Sequence, residues 1–304
     1  RSFVTASNLM DAARFAAIVG AAAIGACLVI LLAGIDLSSG ALYGLVGCVA
    51  MLLMTSPDHP MNAWLALGCA MLVGLAFGLI NGFCIGYIKI PPFIVTLGTM
   101  SAASGTAILI TKAEHMPSAS RPLPEASLQV LQLMDTHLGR TAEVSGLHIS
   151  VLLVIVLAIL TALFLVGTRG GRYIFAIGGG EEAAEHAGIN VAKVKLWTYA
   201  AAGCFSGLAG LFYVARFKGV NSGVGLGDEL NIIAAAVVGG VSLSGGKGSP
   251  LGTIIGAMIV KLLRDGLVYN EVPESGAKIA VGSFIILAVL VDRLLKIAGR
   301  KRAS

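Results

Sequence analysis

The chain has 304 residues, of which 57% are hydrophobic and only 12% are charged. Soluble globular domains carry about 25% charged residues, so this composition, with a mean hydropathy of +0.90, excludes an ordinary soluble enzyme or binding domain. The net charge of +5 does not indicate a nucleic-acid-binding protein, because the basic residues flank apolar runs instead of forming one stripe.

Long apolar runs recur along the whole sequence and predict an all-α polytopic membrane protein, with residues 1–304 as a single transmembrane domain. A spanning helix needs about 20 predominantly apolar residues. On that measure the nine predicted spans are 14–33, 38–54, 63–88, 93–111, 148–167, 196–215, 230–243, 249–267 and 279–295. Segments 38–54 and 230–243 are short and adjoin Gly/Ser-rich breaks, so we expect tilted, re-entrant or broken helices there. Arg1 begins a polar connection without a signal-peptide pattern, and we expect one further span before it, which makes ten.

Glycine is frequent, with 40 residues, and several glycines recur at helical spacing. Small residues let helices approach closely in a membrane, where hydrophobicity alone does not drive helices together. We expect these glycines to form packing faces within the chain. They are Gly78, Gly82 and Gly86; Gly203, Gly207 and Gly210; and Gly252 and Gly256.

Catalytic and metal sites are not indicated by the sequence. The five cysteines all lie in apolar runs without a CxxC pair, and the five histidines lie in loops or at the edges of spans. These spacings match neither a disulfide framework nor a metal motif. The stretch GVSLSGGKG at 240–248 resembles a phosphate loop, but Val241 and Gly248 stand where that motif needs Gly and Ser or Thr. We therefore predict no catalytic residue, no metal and no nucleotide site.

Basic residues concentrate in residues 168–195 and in the tail after the last predicted span. The positive-inside rule places both segments in the cytoplasm, and the four predicted crossings between them agree with that. The segment 112–147 then becomes an external loop, and the C-terminus is cytoplasmic. The external loops hold nearly as many basic residues, but there they are mixed with acids and spread over longer segments.

Two Gly/Ser-rich breaks share the pattern G-[IV]-x-L-S-x-G, the first at 34–40 and the second at 240–246. Interrupted helices free backbone groups that must line a cavity or be buried in protein, so paired breaks point to a transport path. The alternative is that the two segments are simply similar tight turns, which need glycine for their backbone angles.

Few polar residues lie inside the predicted spans, and such groups usually face the interior of the bundle or a cavity. Neutral amides and hydroxyls suit hydrogen bonds to a neutral polyhydroxylated ligand, or they can simply tie helices together. For Asp36, the acid of the first break, we favour a cap on the following helix over contact with a ligand. The candidate path residues are Asp36, Ser38, Asn81, Thr96, Thr99, Asn231 and Ser244.

A small-residue acidic segment, GGGEEAAEHAGIN at 178–190, lies between two long apolar runs. Its EAA string followed by a glycine four residues later resembles the EAA–Gly signature of ABC importer permeases. In those proteins the segment forms a short cytoplasmic helix that docks into the ATPase, so 168–195 would be the ATPase-coupling loop. Acidic residues suit the positive end of a short helix. The implied coupling residues are Glu181, Glu182, Ala183, Ala184, Gly188 and Ile189.

Further sequence blocks extend the resemblance over residues 3–294. They are GIDLSSGALYG, GLINGFCIGYIKIPPFIVTLGTMSAASG, GINVAKVK and GDELNIIAAAVVGGVSLSGGKGSPLGTIIGA. Together with the EAA-like segment they resemble the ribose-type permease family, the carbohydrate-uptake class of ABC importers that also transports xylose, arabinose, galactose, inositol and autoinducer-2. The chain departs from the pattern in two places: Gly180 stands where Asn is common, and the Leu-Pro that often ends the EAA motif in other importer classes is absent.

The resemblance implies a ten-helix permease in the bacterial inner membrane that imports a monosaccharide or a related polyol-like ligand by alternating access. The implied partners are a second permease copy (as a homodimer or a paralogous heterodimer), an ABC ATPase subunit and a periplasmic sugar-binding protein that meets the external loop. ATP and Mg would be bound by the ATPase subunit, and this chain would hold no cofactor and catalyse no reaction.

Other classes of transporter remain as alternatives. A nucleoside or branched-chain amino-acid ABC permease would also have a loop that docks on an ATPase. The GIDLS and IPPFIVTLGTM blocks favour the sugar branch over the amino-acid branch. An ion-coupled secondary transporter would have acids or histidines buried in its spans and no ATPase partner, and an intramembrane enzyme would need a catalytic or metal motif. The sequence favours neither of these last two.

Overall fold

The computed structural model describes residues 5–138, 147–273, 275–277, 279–284, 287 and 290, and these are almost entirely helical. Its helices are α1 Ala6–Leu31, α2 Ser39–Met54, α3 Ala63–Gly86, α4 Pro92–Thr111, α5 Glu125–Met134, α6 Ile149–Gly167, α7 Arg169–Gly179, α8 Glu181–His186, α9 Val191–Phe217, α10 Asp228–Val238 and α11 Pro250–Tyr269. One short antiparallel hairpin joins β1 His137–Leu138 to β2 Leu147–His148. The residues described between 275 and 290 are also helical.

In the described part of the chain, five helices are long and apolar enough to cross a membrane: α1, α3, α4, α6 and α9. Each coincides with a predicted span. Helix α2 is apolar but has only 16 residues, and α11 carries Lys261, Arg264 and Asp265 in its second half. The predicted total of nine spans therefore stays a prediction. Most of the last segment, 279–295, and the C-terminal tail lie outside the described residues.

Several boundaries differ from those predicted. The span predicted at 230–243 ends as a helix at Val238, because Gly239 and Gly240 follow it and Gly240 adopts a left-handed φ of 91°. Helix α1 begins well before residue 14, since the Thr5 side chain accepts a hydrogen bond from the Asn8 N–H at 3.2 Å and caps the helix. Helices α5 and α7 were not predicted, because each lies in a segment interpreted as a loop.

The glycines of α3 form its contact with α9, which runs antiparallel to it. Successive glycines at positions 74, 78, 82 and 86 face the α9 backbone at positions 203, 199–200, 196 and 192. A Cβ atom at Gly82 would lie 2.6 Å from the carbonyl oxygen of Leu196, which is closer than two such atoms can approach. The two helices touch backbone to backbone along this face, and the predicted packing role of the α3 glycines is confirmed.

Glycines of α11 and α9 also lie directly against the backbone of a neighbouring helix. Gly252 and Gly256 of α11 abut the backbone of α10 at Gly239 and Ala235. Gly210 of α9 abuts α2 at Tyr43. The bundle is therefore built around α9 and α11, each of which presents a smooth side to a neighbour.

The bundle has two distinct ends. At one end, here called the α5 end, the start of α1 and the end of α9 meet helix α5. At the opposite end, here called the α8 end, the last turn of α1 meets the end of α7, and the Gly246 N–H donates to the carbonyl oxygen of Leu31 at 2.9 Å.

One carboxylate fastens helix α5 to the bundle. Asp135 accepts two hydrogen bonds from the Arg14 guanidinium, of which the Nε bond to Oδ1 is 2.9 Å long. Lys218 Nζ lies 4.0 Å from its Oδ2 atom and His148 Nδ1 lies 3.7 Å from its Oδ1 atom. Because only 8% of the Asp135 side chain is exposed, a single buried acid links α5 to α1 and to the end of α9, with the His148 ring close by.

His148 precedes α6 within this cluster and is itself 1% exposed. Burial, followed by the nearby Arg14 charge, lowers the pKa of His148 to about 4. Its ring lies 3.8 Å from that of His137, centroid to centroid. The imidazole is therefore held neutral at pH values where a histidine in an unfolded chain is already protonated.

We predict that replacing Gly82 by Leu destabilises the bundle severely. The new side chain would meet the Leu196 backbone, and overpacking of this kind costs about 3 kcal/mol. For a chain of this size the melting temperature should fall by about 6 °C or more, measured by thermal unfolding in detergent.

The matched control is Gly68→Leu in the same helix, where a Cβ would meet nothing within 4 Å. An equal loss of stability in both variants would show that the α3–α9 contact is not the tight interface described.

We also predict that the bundle loses stability as the pH falls from about 6.5 to about 4. In that window the unfolded chain binds a proton at residue 148 and the folded protein does not, so acidification favours unfolding. The melting temperature should be at least about 2 °C lower at pH 5 than at pH 7.5.

The His148→Asn variant should lose part of this dependence, whereas a substitution at the exposed His59 should leave it unchanged. Identical pH profiles for wild type and His148→Asn would contradict the assignment.

Candidate functional site

The first break places a buried acid, a hydroxyl and an amide in contact. The Asp36 carboxylate accepts hydrogen bonds from the Ser38 N–H at 2.8 Å and from the Ser38 hydroxyl at 2.6 Å. Asn81 of α3 donates to the same hydroxyl at 3.0 Å. All three residues are at most 3% exposed, so three of the candidate path residues form one buried group.

Asp36 does not cap α2 in the way predicted. The N-cap position is Ser38, and Asp36 lies two residues earlier, where its carboxylate binds the Ser38 backbone and side chain. Its role is to fix the turn between α1 and α2. This turn satisfies the Ser38 N–H in a place where water has little access.

Three more polar atoms near this turn have no hydrogen-bond partner within the described part of the chain. They are Asn81 Oδ1, the Ser39 hydroxyl and the Tyr199 hydroxyl. Buried polar atoms are nearly always paired, so this group retains hydrogen-bonding capacity for water or a ligand. We call Asp36, Ser38, Ser39, Asn81 and Tyr199 the inner polar cluster.

Sequence reasoning missed Ser39 and Tyr199. Tyr199 reaches the break from α9, and a Cβ added at Gly34 would lie 2.5 Å from its hydroxyl. The signal in the sequence was a single tyrosine in an otherwise small and apolar stretch, which is too common to single out. Ser39 stands directly beside a predicted path residue and carries no pattern of its own.

The remaining path candidates lie elsewhere. Thr96 is fully buried and its hydroxyl donates to the Pro92 carbonyl at 2.9 Å and to Ile35 at 3.4 Å, which ties α4 to the first break. Thr99 bonds the Val95 carbonyl of its own helix at 3.1 Å. Ser244 is exposed in the turn after α10. The second break touches α1 just before the first, but it adds no residue to the inner polar cluster.

Asn231 belongs to a separate cavity of about 510 Å³ at the α5 end. Its amide donates to Asp228 Oδ1 at 3.0 Å, and the Tyr43 hydroxyl donates to the other oxygen of that carboxylate. The Tyr213 ring lies 6.2 Å from the ring of Tyr43 and 4.5 Å from that of Phe217. Aromatic faces beside an amide and a carboxylate suit a neutral ligand with both hydroxyl groups and an apolar ring face. We call this space the α5-end cavity.

A second space of about 330 Å³ lies at the α8 end. Its wall runs from the end of α1 through the glycines that join α7 to α8, and it includes the Tyr199 side chain. Lys195 and Glu181 also line it, and their side chains form an ion pair at 2.6 Å. A single open space, the α8-end cavity, therefore lies between the inner polar cluster and the coupling segment.

Helix α8 presents its acids outward and one of its two alanines inward. Glu182, Ala183 and Glu185 are exposed, whereas Ala184 is 5% exposed and belongs to a buried cluster that includes residues of α1, α7 and α9. The half-buried Ile189 packs against the same group. The six predicted coupling residues thus divide into an outward face and an inward anchor.

A left-handed glycine ends α8. Gly188 has a φ of 83°, its N–H donates to the Glu185 carbonyl at 2.9 Å, and the next N–H, of Ile189, donates to Ala184 at 3.1 Å. This is the arrangement in which glycine is preferred after a helix. It turns the chain so that α9 can begin at once, with the Asn190 side chain accepting from the Lys193 N–H at 2.9 Å.

Within the described residues, no group of three or more histidine, cysteine or acidic side chains could hold a metal ion.

Comparison with known proteins identifies the family. Residues 8–291 match the family model described as the permease component of the branched-chain amino acid transport system. The chain is 34% identical to the ribose import permease RbsC of Haemophilus influenzae, over 96% of this chain and 87% of that protein. It is 33% identical to the xylose transport system permease XylH of the same organism, over 96% of this chain and 90% of that protein. It is 32% identical to the D-allose transport system permease AlsC of Escherichia coli, over 96% of this chain and 85% of that protein.

No solved structure matches the chain at a significant level. The family match covers most of the chain, and the curated relatives match it over nearly its whole length. The chain belongs to the ribose-type carbohydrate permease family of ABC transporters.

Proposed function

We propose that this chain is the inner-membrane permease subunit of an ATP-driven importer for a monosaccharide or a related polyol-like ligand. The observation that carries the proposal is the exposed acidic helix α8, which is anchored inward by Ala184 and shares the α8-end cavity with the buried Tyr199. The names of its relatives, which are permeases for ribose, xylose and allose, support a sugar as the cargo.

Helix α8 would be the contact with the ATPase. Its outward face carries Glu182 and Glu185 without an ion-pair partner among the described residues, and such a face suits a basic groove on a partner. ATP and Mg would be bound by that partner. Because Ala184 belongs to a buried cluster with residues of α1, α7 and α9, a displacement of α8 would disturb the packing of all three helices.

The α5-end cavity would admit the ligand. The tyrosine rings can stack against the apolar face of a sugar ring while Asp228 and Asn231 exchange hydrogen bonds with its hydroxyls. The ligand would then pass the inner polar cluster to the α8 end as the two ends open in turn. A ligand shifts such an equilibrium only through different affinities for the two states, so the permease needs only weak binding.

Helix α4 offers a face for a second permease copy. Gly98 and Gly105 have nothing within 4 Å of an added Cβ, in contrast to the glycines of α3. Ser101 and Ala102 are exposed beside them. Small residues on an outward face allow close helix contact, and we propose that the dimer forms here. The external loop 112–147, with α5, would meet a sugar-binding protein, and the α8 end and the C-terminus would be cytoplasmic.

The function is tested by reconstituting the permease in liposomes with a ribose-type ATPase and its binding protein, and by measuring uptake of labelled ribose, xylose and allose. Wild type should support ATP-dependent uptake of at least one sugar. Glu182→Arg should lower uptake and ATPase association at least about ten-fold, since a charge reversal at a docking contact costs about 2 kcal/mol or more.

The matched control is Glu114→Arg, an exposed acid at the α5 end, which should keep ATPase association. Uptake that proceeds without an ATPase and follows an ion gradient would refute the proposal.

A second prediction separates the shape of the α8 turn from its chemistry. Gly188→Val forces a β-branched residue into a left-handed backbone, which costs roughly 1–2 kcal/mol, whereas asparagine tolerates that conformation. We expect Gly188→Asn to keep most ATP-dependent uptake and Gly188→Val to lose most of it. Equal activity of the two variants would show that the turn does not control docking.

A further inference from the structure

An apolar groove of about 340 Å³ lies at the α8 end, between α6 and α7 on one side and α9 on the other. Its walls are mainly hydrophobic and aromatic, formed by Leu28, Phe164, Tyr173, Ile174, Val194 and Trp197. Trp197 is 58% exposed and Phe164 is 42% exposed, so the groove opens to the outside of the bundle. We call it the Trp197 groove.

The groove is built from two membrane-spanning helices and one amphipathic helix. Helices α6 and α9 are both long and apolar enough to cross a membrane. Helix α7 buries Ile174 and Ile177 and leaves its arginines exposed, which is the pattern of a helix at the boundary between apolar and aqueous surroundings. Tryptophan and tyrosine side chains favour the same boundary. The groove therefore starts in the apolar layer and ends at its surface.

Positive charge surrounds the aqueous end of the groove. Lys193 lines it, and the exposed Arg169 and Arg172 are the sequence neighbours of Gly170 and Tyr173, which line it. The first turn of α9, capped by Asn190, adds the positive end of a long helix. None of the described residues that line the groove is acidic. The acid at the start of α8, Glu181, is paired with Lys195 instead.

We propose that the Trp197 groove binds an anionic phospholipid, with one acyl chain between α6 and α9 and the phosphate beside Lys193 and Arg172. A free phosphate would leave the apolar walls uncovered, and a neutral lipid would leave the three cations uncompensated. Basic pockets between spanning helices at a membrane surface bind anionic headgroups for this reason. The inference depends on the chain being a membrane protein and does not depend on which ligand it transports.

The site has a consequence for the coupling segment. Helix α7 forms one wall of the groove and leads directly into α8, and Asn190 both lines the groove and caps α9. A lipid held there braces α7 against α9, and so fixes the position from which α8 projects.

The chain provides its own probe, because it contains only two tryptophans. The Trp64→Phe variant leaves Trp197 as the single emitter, and Trp197→Phe leaves Trp64, which is 55% exposed at the start of α3. Each variant is placed in phosphatidylcholine bilayers that contain a small fraction of either brominated phosphatidylglycerol or brominated phosphatidylcholine, and quenching of the emission is measured.

We expect a given fraction of brominated phosphatidylglycerol to quench Trp197 as strongly as an about five-fold larger fraction of brominated phosphatidylcholine. Trp64 should not distinguish the two lipids. In the Trp64→Phe background, Lys193→Gln with Arg172→Gln should bring the ratio of Trp197 quenching by the two lipids close to one. Lys89→Gln, which removes an exposed cation from the α3–α4 connection at the same end, should leave it unchanged.

Equal quenching of Trp197 by the two lipids in the Trp64→Phe protein would overturn the proposal, and this result needs no variant of the basic residues. Persistence of the preference after Lys193→Gln and Arg172→Gln would also overturn it. If an added ATPase subunit abolished quenching of Trp197 by both lipids, the groove would be a protein contact and not a lipid site.

Discussion

The contact between α3 and α9 is the constraint on which the rest of the structure depends. Four glycines bring the two backbones together along the second half of α3. This approach places Asn81 of α3 and Tyr199 of α9 beside the break that follows α1. If the two helices stood farther apart, the Asn81 amide could not donate to Ser38, and the Tyr199 hydroxyl could not lie beside Gly34. Close packing of small residues thus creates the space in which the polar groups meet.

The same contact connects the two functional regions. Helix α9 carries Lys195, which pairs with Glu181 at the start of α8, and Tyr199 one turn further on. It then runs to the α5-end cavity, where Tyr213 and Phe217 stand near its end. A movement of α8 can therefore act on both cavities through one rigid element. This arrangement makes the proposed coupling mechanical, without a chain of titrating groups.

Much of this organisation could be predicted from the sequence, because length, hydropathy and glycine spacing are local properties. The five long helices and the glycine faces follow directly from them. Asp36, Ser38 and Asn81 were selected as polar residues in apolar surroundings, and they do lie together. Asn231 and Ser244 were candidates as well but lie elsewhere, Asn231 in the α5-end cavity and Ser244 exposed in the turn after α10. Polarity within or beside an apolar run carries no information on which helices are neighbours.

What the sequence could not predict depends on tertiary contacts. Helix α5 has only ten residues, too few for a predicted span. Its position depends on the burial of Leu131 in the core and on the ion pairs of Asp135 with groups distant in the chain. Helix α7 has only 11 residues and begins directly after a predicted span, so its amphipathic pattern was interpreted as part of a loop. The role of Tyr199 depends on the register of α9 against α3, which no periodicity in either segment specifies.

The Asp135 cluster also bears on the order in which the protein is assembled. Arg14 precedes α5 in the sequence and His148 follows it closely, but Lys218 comes only after α6 to α9. The nearby Val220 exchanges two backbone hydrogen bonds with Met116, at 2.8 and 2.7 Å. During synthesis the N-terminal part emerges first, so Met116 and Asp135 lack these two partners until the end of α9 has been made. Docking of this segment is thus completed late, and a nascent chain that stalls before residue 218 would hold Asp135 by the Arg14 ion pair without Lys218 and without the hydrogen bonds between Met116 and Val220.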